Sequence, residues 1–116
     1  MKRYDLNYLK EISGGDEEFI LDMIQTFVQN TPSELLHLKN LAKEQKWDIL
    51  GEQAHRFAPG LQFLGLISLR PVINKIEDFS FGKKNLEEVP DLINKLEAEC
   101  RLVSDELIKD FNLKLQ

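Results

Sequence analysis

Residues 47–66, WDILGEQAHRFAPGLQFLGL, decide how the chain is read. At about 100° per residue, Leu50, Ala54, Phe57, Leu61 and Leu64 fall within roughly 40° of one line, which is a core stripe. His55 lies about 140° from that line, on the outer face. Asp48, Pro59, Gln62 and Leu66 share that face, with Glu52 and Phe63 beside them. A plain solvated face would carry polar residues where Pro59, Phe63 and Leu66 stand. Apolar side chains around one exposed titratable group read as a docking surface. Pro59 removes the amide that would bond the His55 carbonyl, and its ring crowds that carbonyl, which predicts a kink. Gly60 and Gly65 weaken the helix further. The pair predicts a backbone that something approaches closely, and Gly65 also suits a helix end.

The same helical spacing extends outward in both directions. Leu6, Leu9 and Ile12 predict a short first helix, stopped by Gly14-Gly15. Asp16 suits a cap for a helix with Phe19, Ile20, Met23, Ile24, Phe27 and Val28 inward. Thr31-Pro32-Ser33-Glu34 has the form of a capping box, with proline at the first helical position. It predicts a new helix with Leu35, Leu38, Leu41 and Ala42 inward. Ser68 suits the cap of the helix bearing Leu69, Val72, Ile73, Ile76 and Phe79. Phe81–Asn85 reads as a loop. Val89, Leu92, Leu96, Cys100, Val103 and Leu107 form the seam of a long final helix. No segment alternates for long enough to be a strand. The expected fold is all-α: an antiparallel four-helix bundle with a short extra N-terminal helix.

Composition narrows the function classes. A chain of 116 residues with 42% hydrophobic and 30% charged residues suits one globular domain, taken here as residues 1–116. A net charge of −5 argues against nucleic acid as a partner, because affinity there comes from neutralised phosphates. No apolar run reaches the roughly 18–20 residues of a membrane helix, so membrane insertion is not expected. The start, MKRYDLNYLKEI, has no apolar stretch of a signal peptide. Cys100, the single cysteine, sits on the final seam as a small buried hydrophobe and has no partner for an internal disulfide. A cytoplasmic location fits. Neither GxxxxGK[ST] nor GxGxxG is present, so no nucleotide cofactor is expected.

Around His55 the sequence resembles the histidine-containing phosphotransfer (HPt) domain, whose central helix reads approximately A-H-x-L-K-G-S-x-x-x-L-G. Ala54 and His55 match, Phe57 stands at the apolar position, and Leu64-Gly65 match the close. Trp47 and Leu50 match the lead-in. The resemblance implies that His55 accepts a phosphoryl group from a receiver-domain aspartate and passes it to another. It implies a phosphocarrier, not an enzyme, with receiver domains as partners. Glu52, Arg56, Ala58, Pro59, Gln62, Phe63 and Leu66 would then form the docking face, with close backbone approach at Gly60 and Gly65. Three positions depart from the family pattern. Ala58 stands where the family places a lysine that balances phosphoryl charge, Pro59 replaces a small residue, and Gly60 replaces a serine. Arg56 lies about 100° around the helix from His55, which limits its use as a substitute cation.

Two other readings compete. The sequence holds two Glu-x-x-His units, Glu34/His37 and Glu52/His55, and such units in a bundle are half of a di-iron site. Metal ligands must all point inward, whereas Glu52 and His55 point outward, so no metal is expected. The other reading is a docking module that keeps the HPt shape and carries no phosphate, which Ala58 and Gly60 favour. The apolar positions are accounted for by one bundle, so a monomer is expected.

Overall fold

The computed structural model describes residues 2–114. Five helices follow in order: α1 Asn7–Ser13, α2 Glu17–Lys43, α3 Trp47–Phe63, α4 Arg70–Gly82 and α5 Val89–Phe111. Short 3-10 turns, Ile67–Leu69 and Leu86–Glu88, lead into α4 and α5. There is no strand among the described residues. Chemistry at the helix ends explains several boundaries. Gly14 and Gly15 take positive φ and stop α1. The Asp16 carboxylate accepts hydrogen bonds from the Glu18 and Phe19 amides and starts α2. The turn between α4 and α5 holds Lys83 and Asn85 at positive φ.

The four long helices close a ring in which α3 packs on α2 and α4, and α5 packs on α2 and α4. Cross-helix pairs set their direction. His55 meets Glu77 and Gly51 meets Phe81, so α3 and α4 run antiparallel. Lys39 bridges Glu97 at 2.6 Å, while Thr31 and Leu35 lie opposite Cys100 and Ser104, so α2 and α5 do likewise. Leu50, Ala54, Phe57, Leu61 and Leu64 are all buried, as the helical wheel requires. They meet Ile24, Phe27, Leu38, Ile73, Ile76, Ile93, Leu96 and Val103 in a single core.

The structure departs from the sequence reading at the second helix. No helix starts at Thr31, because α2 runs through Pro32. Thr31 is buried, and its hydroxyl donates to the Phe27 carbonyl at 2.5 Å instead of capping. Pro32 is exposed, so its ring displaces no core contact. An interior proline costs about 3 kcal/mol. Burying Ile24, Val28, Leu35 and Leu38 on one uninterrupted stripe outweighs that, at roughly 1.5–3 kcal/mol each. Thus two of the six predicted helical segments are one, which leaves four long helices and one short, as the expected bundle has.

Smaller differences follow from packing. Ser68 caps nothing; a 3-10 turn occupies its position and α4 begins at Arg70. Phe81 and Gly82 belong to α4, which leaves Lys83–Asn85 as the loop. Ile12 and Phe19 are exposed, since α1 buries only Leu9 and α2 turns Ile20 inward.

Candidate functional site

The site is built on α3 and α4. His55 is exposed on α3, where its 77% accessible side chain stands beside Glu77 of α4. The ring Nδ1 and the Glu77 Oε1 are 2.7 Å apart. A carboxylate only accepts, so Nδ1 carries the proton and donates it. In the neutral ring that bond selects the tautomer and leaves the lone pair on Nε2, which has no hydrogen-bond partner among the described residues. Glu77 is itself 15% accessible, held against the bundle. It has no other ion-pair partner within 4.0 Å among the described residues.

His55 and Glu77 line a groove of about 470 Å³ between α3, α4 and the N-terminal segment. Ala58, Pro59, Gln62, Arg70, Asn74 and Tyr8 line it as well. Arg56 does not, since it faces a separate groove with Met23, Phe27 and Glu34 between α2 and α3. Glu52 is exposed one turn before His55. On that side Phe81 lays its ring across Gly51, where a β-carbon would come within 2.8–2.9 Å of it. Gly51 is therefore the residue that lets α4 sit close beneath the histidine. The nearby lysine, Lys83, pairs with Asp48.

The expected docking face is partly redrawn. Pro59 and Gln62 are exposed, and Ala58 and Phe63 are half-buried, with Phe63 stacked on Tyr8 at 5.9 Å. Leu66 is not on the surface. It is 3% accessible, because α3 ends at Phe63 and Gly65 at φ +67 turns the chain, which carries Leu66 inward. Its place outside is taken by Ile67, 78% accessible. Gly65 does mark a close approach, but of the protein's own chain. The Asp5 amide donates to the Leu64 carbonyl at 2.9 Å, and a β-carbon on Gly65 would lie 2.6 Å from the Asp5 carbonyl oxygen. Gly60 marks none: a β-carbon there would meet Phe27 at an ordinary 3.8 Å. The helix continues past Pro59 to Phe63.

The N-terminal segment that crosses Gly65 is anchored to the C-terminal turns of α5. Lys2 pairs with Asp110 at 2.6 Å, Arg3 with Glu106 at 2.7 Å, and the Tyr4 hydroxyl donates to Asp110 at 2.6 Å. These cations and donors hold the Glu106 and Asp110 carboxyls below their ordinary range. Burial, then the hydrogen bond to Asp110, pushes the Tyr4 phenol up to about 12. The anchored segment delivers Tyr8 to Phe63 and to the edge of the His55 groove.

The Glu-x-x-His units do not converge. His37 and His55 are both exposed, and Glu34 is half-buried beside Arg56, its carboxyl raised by desolvation. No three His, Cys, Asp or Glu side chains stand close enough to share a metal ion among the described residues. No described helix is long and apolar enough to cross a membrane.

A family model described as "Hpt domain" matches residues 22–106, from early α2 almost to the end of α5. The chain belongs to the Hpt domain family. Hpt domains are helical phosphocarrier modules of two-component signalling and work with receiver domains. The match includes the whole His55–Glu77 groove except its N-terminal wall of Asp5, Asn7 and Tyr8. No curated protein and no solved structure gives a significant match.

Sequence reasoning missed Glu77, Tyr8 and Ile67. No local pattern marks Glu77; it is 22 residues from His55 and on another helix. Ile67 had a signal, the glycine that ends α3 and reverses which apolar neighbour faces out.

Proposed function

We propose that the protein is a phosphorelay intermediate with His55 as phosphoacceptor. The observation that carries this reading is the His55–Glu77 bond, which presents a single free nitrogen to solvent on a fixed ring. Nε2 attacks the phosphorus of a receiver phosphoaspartate, and its lone pair forms the N–P bond. The O–P bond breaks, and its electron pair returns to the aspartate carboxylate. Transfer to a second receiver is the reverse of this step. Positioning and charge neutralisation dominate phosphoryl transfer, and the receiver side supplies the metal and the acidic groups. The Hpt side offers the nucleophile and a surface. Glu52, Ala58, Pro59, Gln62 and Phe63 form that surface with Tyr8 and Ile67, and Leu66 supports it from beneath. Residues 1–116 act as one domain, monomeric and cytoplasmic, in which α1 extends the docking face.

Ala58 favours a second reading, a docking module without transfer, because no cation stands where the family places its lysine. One experiment separates the two. Labelled phospho-receivers are mixed with the protein and with a His55→Ala variant. Acid-labile, base-stable label on the wild type alone supports the relay. Stable receiver binding without label on His55 refutes it and favours the module.

A further inference from the structure

We propose that the Glu77 carboxylate holds the Nδ1 proton on phosphorylated His55, so that the group is kept in its most transferable form. The proposal deepens the relay reading and rests on it for its biological meaning, while its chemistry depends only on the pair itself. Consider the ring after transfer. Neutral imidazole carries its proton on Nδ1, bonded to Glu77 at 2.7 Å. When Nε2 forms the N–P bond, the ring gains a positive charge and no proton moves. The negative carboxylate lies directly against that charge, as the aspartate of a catalytic triad does against its imidazolium. On the outward step an acceptor oxygen attacks phosphorus, the N–P pair returns to Nε2, and neutral imidazole leaves. Had the Nδ1 proton been lost to water, the leaving group would be imidazolate, a far stronger base and a poor leaving group. The ring is 77% accessible, so only a bound acceptor of fixed charge opposes that loss.

The surroundings do little to compete. Glu52 on α3 and Asp5 from the N-terminal segment add negative charge near the pair, and Tyr8 contributes a neutral phenol. Arg70 is the cation of the groove, but it precedes Glu77 by seven residues on α4, about 10 Å along the helix axis. Ala58 supplies no charge, Arg56 faces the other groove, and Lys83 is engaged by Asp48. No cation contacts the phosphoryl position from α3, so repulsion acts on the phosphoryl while Glu77 favours the protonated ring. Both effects make phospho-His55 a donor that discharges quickly, not a store.

The test uses potassium phosphoramidate, which labels accessible histidines without any protein partner. Loss of phosphoryl from His55 is followed by phosphorus NMR from about pH 5 to pH 10, in the wild type and in Glu77→Gln. A His55→Ala control retains only the signal of His37, which is thereby assigned and subtracted. The glutamine keeps an acceptor for the Nδ1 proton and removes only the charge. The two rates coincide at acid pH, where the phosphorylated ring is protonated in both proteins. Toward alkaline pH the variant slows first, and the wild type is faster there by roughly fivefold to tenfold, the value of one adjacent charge at an exposed site. Superimposed profiles, or a faster variant, overturn the proposal and leave the relay reading intact if receivers still label His55. Failure of His55 to hold any label overturns both.

Discussion

Gly60 and Gly65 lie five residues apart, and the structure predicts that alanine acts on them with opposite sign. At Gly65 the backbone is left-handed, φ +67, which costs an L-residue about 1–2 kcal/mol. The new methyl would also stand 2.6 Å from the Asp5 carbonyl oxygen and 3.1 Å from its α-carbon. Those are backbone atoms, so relief requires the N-terminal segment to move and gives up the Asp5–Leu64 hydrogen bond, worth about 0.5–1.5 kcal/mol. The sum is a loss of roughly 2–3 kcal/mol. Gly60 is helical, and its added methyl would meet Phe27 at 3.8 Å, an ordinary contact. Alanine there gains about 0.8–1 kcal/mol of helix propensity. Urea denaturation of the two variants should therefore differ by about 3 kcal/mol, with Gly60→Ala above the wild type and Gly65→Ala below it. Gly65→Ala also lifts Tyr8 from Phe63, so under the proposed docking face it should weaken receiver binding while phosphoramidate still labels His55. A Gly65→Ala protein as stable as the wild type, or a Gly60→Ala protein destabilised by more than about 1 kcal/mol, would refute the account of why each glycine is there.

Gly51→Ala forces the Phe81 ring off α3 and should cost about 1–3 kcal/mol, with most of the cost removed in a Gly51→Ala/Phe81→Ala pair, measured as a double-mutant cycle. Glu106 and Asp110 have folded values lowered from their ordinary 4.5 and 3.8, so their contribution to stability is complete above those values and is lost as the pH falls through the lowered ones. Denaturation below about pH 4.5 should therefore show a stability loss that an Arg3→Ala/Lys2→Ala variant lacks in part. Cys100 is fully buried, and its thiol is pushed up to about 12, chiefly by desolvation; a thiol reagent at neutral pH should react with the denatured chain and not with the native one. Leu66→Ala should destabilise the fold by about 2–5 kcal/mol in thermal or urea melts, as expected of a core leucine and not of a docking one.

The parts of this structure that one helix determines alone were legible in its sequence. The α3 stripe, the outward His55 and the α5 seam depend only on the angular step between residues, and each is found where that step places it, except that Ile93 takes the fully buried place read for Leu92, which is half-buried. Reading failed where a second element decides. Thr31-Pro32-Ser33-Glu34 carries every local mark of a helix start, yet the core on both sides of it is continuous, and burial overrides the proline. Leu66 fits the outer face only if α3 continues, and Gly65 stops it two residues after Phe63. The sequence makes Gly65 an approach site for a partner, whereas the approaching backbone is Asp5, 60 residues earlier. A spacing rule has no access to contacts of that kind.

Glu77 shows the same limit with greater consequence. Read along α3 alone, the site lacks its lysine and looks impaired, because Ala58 leaves a doubly negative group without a cation. Across the groove the position opposite His55 holds a second negative charge, so the site does not make up the missing cation at that point. A site meant to retain phosphate would not place a carboxylate 2.7 Å from its acceptor ring. A site meant to pass phosphate onward gains from it, because the charge that repels the phosphoryl also keeps the leaving imidazole protonated. Ala58→Lys decides between impairment and design. If Ala58 is a defect, the added lysine raises both the amount of phospho-His55 at equilibrium with a receiver and the rate of onward transfer. If Ala58 and Glu77 act together, the lysine raises the equilibrium amount by about tenfold, the value of one charge near the phosphoryl, and slows onward transfer by a comparable factor. Faster onward transfer in Ala58→Lys would refute the second account.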